Sequence, residues 1–156
     1  MKMLIDSREQ IPLDFSGYRI VTDEIILKLN EGDYCVEYTN GYRPPVVFER
    51  KSLGDLYGTM TKGYPRFKRE LKRASEHGTR VILAVEGSYA KVGKGYKYSH
   101  YEGISMRRKL NTMWLRYGLM PIFCKDREEM ACRIVDYFEG LGRLKVWDNE
   151  EILTGV

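Results

Sequence analysis

Val81-Ile82-Leu83-Ala84-Val85 is an unbroken apolar run between two helix-patterned segments. A strand without alternation is hydrophobic on both faces, so it belongs inside a sheet that is covered on both sides. The covering helices are Arg66–His77, with Gly78 where a C-terminal cap belongs, and Ser105–Tyr117. Met120–Cys124 reads as a further strand, followed by a helix over Asp126–Glu139 that Asp126 caps and Gly140 and Gly142 end. Strands separated by helices pair in parallel. Upstream the pattern changes. Met3–Asp6 reads as a strand, Arg19–Leu29 as a strand or two, Glu31-Gly32-Asp33 as a turn and Tyr34–Tyr38 as a strand. A loop from Asn40-Gly41 through Pro45 then leads to an antiparallel partner, Val46–Lys51. Ser52-Leu53-Gly54-Asp55 has the S-x-x-D form of a helix start, and Thr61–Pro65 interrupts the short helix it opens. Gly87–Tyr101 reads as a loop, and the last fourteen residues as a tail that docks or frays. The order is a β-meander followed by α, β, α, β, α, which predicts an α/β chain: a mixed sheet with helices on both faces, in one domain spanning 1–156 with its core at about 3–140.

The composition excludes several classes. No apolar run approaches the roughly 20 residues of a membrane helix, and Asp6 cuts short the only apolar start. Cys35, Cys124 and Cys132 are too scattered for a disulfide framework or a zinc site, and His77 and His100 lack metal-ligand spacing. These features suggest a reducing, intracellular compartment. Charge is unevenly distributed: residues 62–116 carry 14 Lys/Arg against 4 Asp/Glu, whereas residues 1–61 carry 7 against 10. A basic middle beside an acidic segment suits a polyanion partner next to a carboxylate-lined site, although solvated helix faces explain the same charges.

Glu49-Arg50-Lys51 supplies a candidate chemistry. On a strand, Glu49 and Lys51 point one way and Phe48 and Arg50 the other. A carboxylate two residues from a Lys on one face suits metal-assisted phosphodiester cleavage: the acid holds a divalent cation, and the ammonium orients water and offsets charge on the phosphoryl oxygens. Asp33 opens the paired strand and can reach the same cation; oxygen donors favour Mg²⁺ or Mn²⁺. Each residue also has a plainer explanation. Glu49 and Lys51 fit an exposed edge-strand pair, Asp33 a turn, and Asp55 the cap partner of Ser52.

The motifs together resemble the nuclease domain of the xeroderma pigmentosum group F type, shared with the archaeal Hef helicase-nuclease. That family carries E-R-K-x-x-x-D after an apolar strand, matched here by Glu49-Arg50-Lys51-Ser52-Leu53-Gly54-Asp55. Its D-x-R-E segment corresponds to Asp6-Ser7-Arg8-Glu9, and its Gly-Asp-Tyr to Gly32-Asp33-Tyr34. The resemblance implies a restriction-endonuclease-like core that cuts branched or flapped DNA with Mg²⁺ or Mn²⁺. It implies that Asp33, Glu49 and Asp55 serve the metal and Lys51 the water and phosphate. Asp6, Arg8 and Glu9 would line the same cleft, with Arg50 structural or offering its carbonyl to the metal. The family's Gly-Arg after the first helix is replaced by Gly63-Tyr64-Pro65-Arg66, which leaves the role of Arg66 open. No room remains before Val156 for the tandem helix-hairpin-helix domain of larger members. The chain thus resembles compact stand-alone members of prokaryotes and phages, placing it in the cytoplasm or nucleoid, and dimerisation through the nuclease domain is open to it. Met113 and Ile134 mark the helices that could serve this.

The basic middle supplies candidate DNA contacts: Arg66, Arg69, Lys72 and Arg73 on one helix, and Arg107 and Arg108 opening another. Between them, Lys91, Lys94, Tyr96, Lys97 and Tyr98 combine phosphate neutralisation with aromatic rings for unpaired bases, in a loop that orders on binding. Met113, Trp114 and Tyr117 have the spacing of core residues. The sequence therefore predicts a metal-dependent DNA endonuclease. The alternatives are a non-catalytic DNA-binding partner and a nuclease for RNA or for one DNA sequence.

Overall fold

A computed structural model describes residues 1–144. Its centre is a six-stranded mixed sheet in the order β2-β1-β3-β4-β5-β6. The strands are β1 (Lys2–Asp6), β2 (Asp23–Leu27), β3 (Tyr34–Glu37), β4 (Val46–Ser52), β5 (Arg80–Glu86) and β6 (Met120–Cys124). The helices are α1 (Leu53–Met60), α2 (Tyr64–Glu76), α3 (Tyr89–Gly93), α4 (Gly103–Tyr117) and α5 (Arg127–Arg143). As expected, β3 and β4 are antiparallel, and β4, β5 and β6 are parallel.

Period-2 alternation divides the strands between two cores. Met3, Ile5, Tyr34, Val36, Phe48, Ile82, Ala84 and Ile122 pack beneath α5. Leu4, Cys35, Val47, Val81, Leu83 and Val85 pack beneath α1, α2, α3 and α4. β5 is buried throughout from Val81 to Val85, as a strand covered on both sides must be.

Several expectations are corrected. The start is not a meander: β2 pairs with β1 in parallel at the sheet edge, while β3 takes the other side of β1. The connection between β1 and β2 wraps back without a helix. Leu13 and Phe15 are buried in the α5-side core, and the Arg127 guanidinium donates to the Ile11 and Pro12 carbonyls at 2.6 and 2.9 Å. Gly140 and Gly142 do not end the last helix, which runs on to Arg143; the Tyr38 hydroxyl donates to the Phe138 carbonyl at 2.6 Å and its ring lies against Gly142. The expected loop after β5 contains α3, capped by the Ser88 hydroxyl accepting from the Lys91 amide at 3.0 Å. Trp114 is 51% exposed rather than in the core, whereas Met113 and Ile134 are fully buried and unavailable to a partner. Beyond Leu144, the expected tail lies outside the described residues. No helix among the described residues is long and apolar enough to cross a membrane.

Candidate active site

β4 carries the alternation of its apolar half into its polar half. Val46 and Phe48 face α5, so Arg50 does too; Val47 faces the α1–α2 side, so Glu49 and Lys51 do as well. The Lys51 ammonium meets a Glu49 carboxylate oxygen at 2.7 Å.

Asp33 is brought in by the turn before β3. Gly32 has φ +70°, and a Cβ there would lie 2.7 Å from Val47 Cβ and Cγ2. Only glycine lets the turn lie this close to β4. The Asp33 amide donates to the Phe48 carbonyl at 2.7 Å, and the Arg50 amide donates to Asp33 Oδ2 at 2.7 Å. Oδ1 has no hydrogen-bond partner among the described residues. Burial, together with the repulsion of Glu49, pushes the Asp33 carboxyl up to about 7 despite the Arg50 amide. Burial also works against the charge of Lys51, but Glu49, Asp33 and Asp55 outweigh it and hold the ammonium above the usual lysine range. Lys51 is therefore a donor and a positive charge near neutral pH, not a base.

These residues line a cleft of about 390 Å³, shared with Arg8, Arg66 and Arg73. Asp6 does not line it. The residue is 1% exposed and accepts from the Arg8 guanidinium at 2.7 and 2.9 Å and from the amides of Arg8 and Leu29, both at 2.8 Å. Burial alone would raise its pKa, but these bonds outweigh it and lower it below the usual carboxylate value. Asp6 thus aims Arg8, whose charge it secures, toward a cleft holding Asp33 and Glu49.

Glu9 also departs from expectation, for it lies on the other side of β4. Its carboxylate forks the Arg50 guanidinium at 2.9 and 3.1 Å and accepts from the Tyr34 hydroxyl at 3.1 Å, while Glu86 takes another Arg50 nitrogen at 3.3 Å. Glu9 therefore touches the site through Arg50, whose amide holds Asp33. Asp55 stands apart as well. It is exposed, its amide donates to the Ser52 hydroxyl at 3.1 Å, and it does not line the cleft. Among the described residues no three carboxylate, imidazole or thiolate groups converge as a metal cage. The Asp33–Glu49 pair nonetheless fits a hard divalent cation. These are two crowded carboxylates, one with an unpartnered oxygen, and a cation would relieve their repulsion.

The remaining candidates divide by position. Arg66 lies at the cleft, held by Glu70 at 2.9 Å, so the arginine after the helix break does reach it. Arg69 and Lys72 are exposed on α2, and Lys91, Lys94, Lys97, Tyr98 and Arg108 are exposed on the segment after β5 and on α4. Tyr96 is half-buried, Arg107 stacks on Tyr89 at 4.4 Å, and Lys109 turns inward to the Met60 carbonyl and the Tyr64 ring. The sequence reading missed Glu31. It lines the cleft mouth, bonds His77 at 2.6 Å and lies 3.9 Å from Arg73. Its place directly before Gly32-Asp33 was the available signal.

On its α1–α2 side the mixed sheet presents an acid, a second acid and a Lys two residues on, within one cleft. The ERCC4 domain model matches residues 5–136, and the chain belongs to the ERCC4 domain family, a family of nucleases. The fold is that of XPF from Aeropyrum pernix. The two are 21% identical with a TM-score of 0.66, over 97% of this chain and 69% of that one. The same protein in complex with DNA gives 22% identity and a TM-score of 0.61, over 94% of this chain and 66% of that one. This chain spans about two thirds of either. No curated protein matches it.

Proposed function

We propose that the chain is a Mg²⁺- or Mn²⁺-dependent DNA endonuclease that hydrolyses phosphodiester bonds in DNA carrying a branch, a flap or a single-stranded stretch. The observation that carries this reading is the Asp33 and Glu49 carboxylates crowded together, Asp33 pushed up by burial and by Glu49, with the Lys51 ammonium 2.7 Å from Glu49, in a cleft lined by Arg8 and Arg66. Asp33 and Glu49 would hold the cation, which when bound polarises a phosphoryl oxygen and acidifies water. Lys51 orients the attacking water and offsets charge on the phosphoryl oxygens. Arg8 and Arg66 offer positive charge and their remaining N–H groups to the flanking phosphates. Incubating the protein with flap, fork, single-stranded and blunt duplex DNA, with Mg²⁺, Mn²⁺ or EDTA, tests the reading. Cleavage in metal alone, fastest on the branched forms, is the expected result.

We also propose that two copies associate through the β6 edge. Among the described residues the sheet ends on β6, and α4, which packs beside it, leaves Leu115 88% exposed next to the exposed ring of Trp114. Exposed apolar surface beside an open strand edge is what a self-pairing face requires.

A further inference from the structure

We propose that Tyr98 is a stacking platform for one unpaired base, set against the start of α1; this rests on the endonuclease reading and names where it holds a single strand. β4 and β5 run parallel with Ser52 opposite Glu86, so the start of α1 and the segment after β5 leave the sheet side by side. They leave at the end of β4 that carries Glu49 and Lys51. The segment after α3 then folds back onto α1. The Tyr96 hydroxyl lies 2.9 Å from where a Gly54 Cβ would stand, and its ring is 5.7 Å from Tyr57. The Tyr57 hydroxyl in turn donates to the Val92 carbonyl at 3.0 Å. Tyr96 is thus a fixed stem set against the residue before Asp55.

Tyr98 stands on that stem. Its ring meets Tyr96 edge-on, with centroids 5.5 Å apart and planes at 75°, and the Lys97 ammonium sits 4.6 Å over it. Despite these contacts Tyr98 is 75% exposed. A single exposed aromatic is ordinary. An aromatic oriented by a packed neighbour, in a segment with exposed Lys91, Lys94 and Lys97, is a different case. An unpaired nucleobase suits it: any base offers a π-face to the ring, and the lysines take the adjoining phosphates. Bases within a duplex are already stacked and cannot use the ring, so the platform selects single strand.

Anisotropy in EDTA with labelled oligothymidylate and a blunt duplex of matched length tests this, with 2-aminopurine in the strand reporting stacking. Tyr98→Ala should weaken single-strand binding about 5- to 100-fold, abolish 2-aminopurine quenching and lower the single-strand-to-duplex affinity ratio by the same factor. Tyr98→Phe and Tyr98→Trp should restore both. Equal losses on both DNAs, no loss on the single strand, or a Phe variant as weak as Ala would overturn the platform and leave the endonuclease reading standing. A wild-type protein that binds neither of these nor a flap DNA would remove that reading and the platform with it.

Discussion

Asp33→Asn is the most informative single perturbation, because the metal-free site works against itself. The Asp33 carboxyl rises from 3.8 to about 7 on folding. A group with a raised folded-state pKa binds more protons folded than unfolded between those values, so for this acid stability falls as pH rises from about 4 to about 7 and then levels. At about 1.4 kcal/mol per pH unit the shift amounts to ~4 kcal/mol. Solvent and counter-ions screen part of it, leaving ~2 kcal/mol as the working figure. Asparagine keeps an oxygen for the Arg50 amide and has no charge to repel Glu49. In EDTA at pH 8 the variant should therefore be more stable than the wild type by ~2 kcal/mol, or about 4–8 °C in Tm for a chain of this size. The advantage should shrink toward zero near pH 4. Urea unfolding of both proteins across this range measures it, and the difference between them isolates one carboxyl. Mg²⁺ should raise the Tm of the wild type at pH 8 and leave the variant unmoved. If Asp33→Asn is no more stable than wild type at pH 8, or if its advantage does not shrink in acid, the crowded-carboxylate account is wrong.

Two further outcomes follow from the geometry. Glu9→Gln breaks the buried fork on Arg50 and should cost ~3 kcal/mol in urea unfolding, with cleavage falling alongside, since Arg50 then holds Asp33 loosely. Leu115→Glu should shift sedimentation from dimer to monomer at unchanged helix content by circular dichroism, if the β6 edge is the self-association face.

The sequence was most legible where one physical constraint acted locally. The run Val81–Val85 had to be covered on both faces, and the alternation from Val46 to Lys51 alone set Glu49 and Lys51 against Arg50. What it did not disclose depends on distant contacts. β2 pairs with β1 in parallel because the intervening segment is pinned to the core by Leu13 and Phe15 and closes with the Thr22 amide donating to the Met1 carbonyl at 2.9 Å; no periodicity records that. α3 is one Ser-capped turn in a Gly-, Lys- and Tyr-rich stretch, too short for a pattern. The facing of Glu9 is set by the turn after β1, where its amide donates to the Asp6 carbonyl at 3.0 Å. D-x-R-E thus reads as one unit in sequence, yet it sends Arg8 into the cleft and Glu9 behind it. The motif containing Asp55 likewise matches in full, while the side chain sits outside the cleft that the other acids share.

Glu49→Gln tests the central claim most directly, as a single-turnover cleavage assay on flap DNA in Mg²⁺ or Mn²⁺ run beside a binding assay in EDTA. The account predicts metal-dependent cutting by the wild type, none by the variant, and flap binding that survives the substitution. Metal-dependent cutting that persists in Glu49→Gln, and in Asp33→Asn beside it, would contradict the account.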